Sequence, residues 1–185
     1  MFSTSELKKS DEVSILIGMA NVSLTENALT LTGPNQKVAA SAKISGINGL
    51  LHYRFKNFEK ISLFGQFSFP LMASEGTYLA GGAGAEYYFG ETSSKMTLND
   101  SITSLVMTPT MRYFAYSALN LAYVSYNTLT AKKNDTVFEI ELGGGISRKF
   151  SKFSLRAQAG FARGVGVVST TTAMKGMLGG IFFLD

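Results

Sequence analysis

The sequence contains no cysteine and no tryptophan, a single histidine and only 3 prolines. Without cysteine there is no disulfide framework, no thiolate-held metal and no cysteine nucleophile, and the compartment stays open. Any Ser-His-Asp triad or multi-histidine metal site would have to be built around His52. Charge is scarce as well: Asp, Glu, Lys and Arg make up 16% of the chain, against roughly 25% in an ordinary soluble domain. The 17 Lys and Arg, for a net charge of +4, are scattered rather than gathered in a stripe, so no nucleic-acid partner is expected. Long apolar runs are also missing. None approaches the roughly 20 residues of a membrane helix, which excludes helical spanning. The mean hydropathy of +0.14 suits a membrane barrel that hides its apolar residues at alternate positions, and it suits many soluble β domains too.

Residues 1–12, MFSTSELKKSDE, lack the apolar centre of a signal peptide. They read as a flexible N-terminal tail ahead of one domain over 13–185. For an exported protein, the expectation is a signal peptide already removed.

Glycine, at 19 residues, and aromatics, at 12%, are plentiful, a balance that favours strands. The stretch 47–71 sets the pattern. Ile47, Gly49, Leu51, Tyr53 and Phe55 alternate with Asn48, Leu50, His52, Arg54 and Lys56, and after a turn at 57–59 Ile61, Leu63, Gly65, Phe67, Phe69 and Leu71 alternate with Ser62, Phe64, Gln66 and Ser68. Period-2 alternation of this kind makes two-faced strands joined as a hairpin.

The same layout recurs. A first strand starts at Val13, and a polar stretch to Lys37 follows, with a short strand conceivable at 28–32. The smoothest strand is 79–89, after a loop at 73–76. Residues 91–103 read as a loop. Alternation then returns over 105–113, weakened by Pro109, which cannot donate to a ladder; a tight turn near 116–118 leads into Leu119, Leu121 and Tyr123. A polar segment at 130–135 precedes the strand from Phe138 to Ile146, whose other face carries Glu139 and Glu141, and a turn at 150–152 leads to Phe153–Phe161. After a loop at 169–172 the chain closes on Met177, Gly179, Ile181 and Phe183. The tight turns each follow a cation and an aromatic, Arg54-Phe55, Arg112-Tyr113 and Arg148-Lys149-Phe150, which suggests short turns at one rim and longer loops at the other.

This pattern over about 13–183, with the apolar, aromatic-ended last strand Met177-Leu178-Gly179-Gly180-Ile181-Phe182-Phe183, resembles the small outer-membrane β-barrel proteins of Gram-negative bacteria, the OmpA-transmembrane-domain-like group. Leu184 and Asp185 follow the aromatic that usually comes last in that group. The resemblance implies an all-β, antiparallel up-and-down transmembrane β-barrel inserted among outer-membrane lipids. A barrel with both termini on one side needs an even strand number. The candidates above make an odd one, so one segment between Leu105 and Tyr126 should be loop, giving eight strands, with ten as the alternative. Girdle aromatics would be Tyr53, Tyr87, Phe89, Tyr113, Phe153 and Phe183.

In such a barrel the polar face lines a lumen that eight strands leave just wide enough for side chains. His52, Arg54, Glu86, Arg112, Glu139, Glu141 and Arg156 fall on it. Buried charges must be paired, so Glu86, Glu139 and Glu141 should bond to some of Arg54, Arg112 and Arg156 and plug the lumen; a selectivity ring is the alternative. No catalytic, cofactor or metal site is expected, and His52 reads as a lumen histidine bonded to a carboxylate. The glycine clusters 81–84, 143–145 and 164–166 open no helix, so they are not phosphate loops; bulges, curvature or close approach of another backbone account for them. Gly81, Ala83 and Ala85 would leave a smooth outer wall for a second copy, a homo-oligomer contact. The competing class is a soluble β-barrel that turns its apolar face inward around a lipid-like ligand. Solubility without detergent separates the two.

Overall fold

The computed structural model describes residues 11–27, 41–57, 60–89, 94–97, 104–107, 111–127, 132–150 and 153–184. Ten strands follow in order: β1 (Asp11–Glu26), β2 (Ser41–Asn57), β3 (Ile61–Ser74), β4 (Gly76–Phe89), β5 (Ser94–Thr97), β6 (Ser104–Met107), β7 (Met111–Asn127), β8 (Lys132–Lys149), β9 (Ser154–Gly166) and β10 (Ser169–Leu184). Eight of them close into a barrel in the order β1-β10-β9-β8-β7-β4-β3-β2, and β5 and β6 pair as a separate hairpin. Every neighbouring pair is antiparallel, and β1 meets β10 from Asp11↔Leu184 to Glu26↔Ser169.

The outside of this barrel is apolar. Ile17 (54%), Leu121 (62%), Ile140 (52%) and Leu178 (59%) are exposed, while Arg156 (1%), Glu139 (0%) and Glu141 (2%) are buried within. On β3 the outward apolar run covers 61–71 and on β4 79–89, the about 9–11 residues that a tilted strand needs to cross hydrocarbon. Tyr53, Phe55, Tyr87, Phe89, Tyr113, Phe153 and Phe182 are exposed at the end where β1 begins and β10 finishes, here called the terminal end.

Toward the opposite, far end the wall reverses its chemistry without changing its parity. On β1 the outward residues Ile15, Ile17 and Met19 give way to Asn21, Ser23 and Thr25, while inward Val22 and Leu24 become fully buried. The same occurs on β8, where Asn134 and Thr136 face out and Val137 faces in. The inward groups Val22, Leu24, Ile44, Tyr78, Val124, Tyr126 and Val137 form one apolar cluster. The outer wall is thus apolar along most of its height and turns polar at the far end on β1 and β8, whereas β9 still exposes Val165 there.

Several expectations change. No turn interrupts 116–118: β7 is one strand, because Ala115 and Ser117 merely fill outward positions with small groups, and the split of this strand produced the odd count. The supposed loop 91–103 contributes β5, and Ser104–Met107 forms its partner β6. The stretches 73–76, 130–135 and 169–172 are largely strand. Glu75 alone separates the bounds of β3 and β4 and lies at φ 65°, in the left-handed region, while the pairing of the two strands runs only from Ile61↔Tyr87 to Ser68↔Ala80. Short turns do not share a rim either: the Glu75 turn and the turn at 167–168 lie at the far end with the connection 27–40, and the longest connection, 90–110, leaves the terminal end. The barrel includes Asp11 and Glu12 of the expected tail, and the strand suggested at 28–32 lies outside the described residues.

β10 shows the opposite parity from the one expected. Met177 and Ile181 point inward at 5% exposure, and Leu178 and Phe182 point out. Both alternating sets in this strand are apolar, so hydrophobicity could not choose between them; the inward-facing Lys175 does. Phe182 therefore takes the girdle place expected of Phe183, whose side chain lies outside the described residues.

Candidate functional site

The chemistry of this chain is concentrated inside the barrel, where inward positions of neighbouring strands interlock. Near the terminal end Glu86, on β4, is the centre. Its Oε2 accepts hydrogen bonds from Arg54 Nη2 at 2.9 Å and Tyr88 Oη at 2.7 Å, and its Oε1 accepts one from Arg156 Nη2. His52 Nε2 lies 3.0 Å from the same Oε1, and the imidazole stacks on Phe64 at 4.5 Å between centroids. Arg54 also bonds to Glu12 and Tyr88. Arg156 donates from Nε to Gln158 Oε1 at 2.7 Å, and its guanidinium sits 4.1 Å from the centroid of Phe114. One carboxylate thus gathers two guanidiniums and an imidazole, with aromatic faces taking up part of the cationic charge.

Further in, Glu141 accepts from Lys175 Nζ at 2.8 Å, Asn120 Nδ2 at 2.9 Å, Gln66 Nε2 at 3.2 Å and Tyr116 Oη at 2.9 Å. Glu139 accepts from Tyr78 Oη at 2.6 Å and Thr171 Oγ1 at 2.8 Å. At the far end Asp135 closes the β9–β10 turn, taking Val168 N at 3.0 Å and Ser169 N and Oγ at 2.8 Å each.

Six of the seven expected lumen residues are buried inside: His52, Arg54, Glu86, Glu139, Glu141 and Arg156. Only Glu86 has the arginine partners foreseen. Glu141 uses Lys175, and the bonds of Glu139 come from neutral hydroxyls. Arg112 is half-buried, 6.0 Å from the Tyr88 ring centroid, and makes no ion pair among the described residues. Sequence reading missed Lys175, Tyr78, Tyr88, Tyr116 and Asn120. Parity was the available signal for the four on β4 and β7, since each lies in step with Glu86 or Arg112, but not for Lys175, because alternation alone does not assign the inward face of β10.

The glycine clusters have a concrete role. A Cβ at Gly84 would come within 2.6 Å of Phe64 Cζ, one at Gly145 would meet Phe114, and one at Gly143 or Gly160 would meet Tyr116. These glycines face inward and seat the rings of adjacent strands or, for Gly160, the Tyr116 ring two strands away. Register along β8 is unbroken; the barrel's register shifts fall between β2 and β3, at Ile47/Asn48 and Arg54/Lys56. Bulges therefore do not explain 143–145. Of the expected contact wall, Ala83 is exposed and Ala85 half-buried, whereas Gly81 lies beside the Phe67 ring, 3.4 Å from where its Cβ would stand. Nothing in this geometry tests whether a second copy binds there.

No protein-family model matches the chain, and no curated protein does. Among solved structures it is similar to Neisserial surface protein A (NspA), with a TM-score of 0.51 and 11% identity over 93% of this chain and 99% of that one. Ail, the attachment invasion locus protein of Yersinia pestis, gives 0.46 and 12% over 94% and 99%, and the N-terminal β-barrel domain of Pseudomonas aeruginosa OprF gives 0.46 and 10% over 89% and 97%. At such identity the likeness to NspA is one of fold alone, and it agrees with the closed ring of eight strands: the chain has the small eight-stranded barrel fold that its strand pattern resembles.

Proposed function

We propose that this chain is an integral outer-membrane barrel with a filled lumen, which serves the envelope through its wall and its ends rather than by conducting solutes or by catalysis. One observation carries the reading: the wall turns bulky apolar groups outward over the height of a bilayer while the inward carboxylates are bonded to protein donors. Eight strands leave no aqueous channel once side chains interlock, and the apolar cluster at the far end adds a second seal. A porin-like role would need a continuous polar path, which this packing opposes. The wall near Ala83 supports the finer reading of self-association, since close approach favours contact in lipid.

The experiment is purification followed by planar-bilayer recording and mass measurement in the same detergent. A detergent-requiring protein without stable openings is expected. Solubility in plain buffer would overturn the membrane placement, and reproducible conductance the filled lumen. A dimer dispersed by Ala83→Leu supports self-association, and a monomer at all concentrations removes it.

A further inference from the structure

Two exposed cations stand on the outer wall toward the far end, where β1 and β2 have turned from apolar to polar while β9 still carries Val165, and they belong to one row of direct cross-strand partners. Arg163 on β9 pairs with Thr172 on β10, Thr172 with Ser23 on β1, and Ser23 with Lys43 on β2. All four occupy outward positions, since Ala162, Ala173, Val22 and Ile44 beside them are buried inward. Three strand spacings of roughly 4.8 Å put the two cationic residues about 14 Å apart, with two hydroxyls between them.

Charge complementarity gives the kind of partner. Neither Arg163 nor Lys43 has an ion-pair partner among the described residues, in contrast to Lys133, which reaches Glu26 at 2.6 Å. The outward positions flanking the row are also free of acids: Asn21 and Ser45 on one side, Thr25, Ser41 and Thr170 on the other. Toward mid-wall the surface turns apolar within one step, at Phe161 and Met174, which pair with each other. One step further lies a furrow of about 550 Å³ floored by Gly144, Ala159 and Gly176 and bordered by Ile17, Met19 and Leu178. A free phosphate would use only the row, and a hydrocarbon only the furrow. A phosphorylated amphiphile uses both.

We infer that the far-end wall of β9, β10, β1 and β2 is a binding surface for the phosphate-bearing headgroup of an anionic membrane lipid, whose acyl chains run down over the furrow. Arg163 and Lys43 supply the charge, and Thr172 and Ser23 donate hydrogen bonds to phosphate oxygens between them. The two-cation spacing suits a headgroup carrying two phosphates. This inference rests on the membrane placement proposed above.

The test uses the full chain in mild nonionic detergent and counts retained lipid by native mass spectrometry. The probes are diphosphoryl lipid A, its monophosphoryl form and a zwitterionic phosphatidylcholine. The wild type should retain the diphosphoryl lipid in preference to phosphatidylcholine, with affinity falling as salt rises. Lys43→Gln with Arg163→Gln should weaken that binding roughly 30-fold, the effect of removing two interfacial cations, and each single change roughly 5-fold. Arg148→Gln, at the exposed terminal end, should leave it unchanged. Retained heat-dependent gel mobility certifies that the variants fold. Equal binding by wild type and double variant, or equal binding of phosphatidylcholine, overturns the site and leaves the membrane placement intact. Loss of a dimer rather than of lipid in the double variant would make the row a contact between copies and also overturns it. A chain soluble without detergent removes placement and site together.

Discussion

The terminal half of the barrel and its far end use one backbone arrangement in opposite senses. Near the termini the charged groups are inside, around Glu86, and Ile15, Ile17, Tyr87 and Phe89 are outside. At the far end Val22, Leu24, Val124 and Val137 are inside, and Asn21, Ser23 and Thr136 are outside. Both halves are two-faced strands of the same parity, so period-2 alternation cannot distinguish them. What distinguishes them is which face carries the apolar groups, and under the proposed membrane placement that difference sets the medium each outer face meets.

The strongest way to break this comparison is to unpair the terminal-half network. Glu86→Ala leaves Arg54 and Arg156 buried without their shared carboxylate, and removing one partner of a buried ionic group typically destabilises by about 3–5 kcal/mol. Urea unfolding in detergent, followed by gel mobility, should show the loss. Little change in the midpoint would mean that water reaches the cluster and that the half is not sealed.

A smaller effect sharpens the boundary between the halves. Ile17→Arg places a cation at mid-wall and should cost about 2–4 kcal/mol when the barrel is refolded into vesicles; Asn21→Arg, four residues along the same outward face, should cost about 0–1 kcal/mol. Equal penalties would move the boundary and refute the change of medium between Met19 and Asn21.

The smallest effect concerns how the terminal half is filled. Gly160→Ala drives a methyl against the Tyr116 hydroxyl and should destabilise by about 1–3 kcal/mol. Tyr116→Phe in the same chain removes that oxygen and should recover part of the loss, although Glu141 then lacks one donor. Strict additivity of the two changes would show that Gly160 is not there to seat the ring.

Much of the barrel was legible in the sequence. The faces of β1, β2, β3, β4, β8 and β9 follow from alternation alone, and so does the inward placement of Arg54, Glu86 and Arg156, because each charge falls on the face opposite the bulky apolar one. Two strands resisted for definite reasons. In β7 the small outward residues Ala115 and Ser117 imitate a turn, although Met111, Tyr113, Leu119 and Leu121 share one parity and so already belong to a single strand. In β10 both faces are apolar, and the one discriminating residue, Lys175, fell between the loop and the strand as first divided. The partners of each carboxylate were beyond reach: they depend on register between strands far apart in sequence, such as Gln66 and Glu141, which alternation within one strand does not encode. The far-end apolar cluster escaped because its alternation looks the same whichever face is buried.

The pairing of β1 with β10 governs the order in which this molecule can be made. Every other seam of the barrel joins strands that follow one another in the chain or are separated only by the β5–β6 hairpin, but the closing seam needs Asp11 to find Leu184 and Glu26 to find Ser169. Without the final strand in place, the other seven barrel strands would make an open sheet with two unpaired edges, competent to pair with other chains. Contacts between residues so distant in sequence are also the slowest to form. Closure is therefore the committing event of assembly, and any holding factor that escorts the chain must shield those two edges until the last strand arrives.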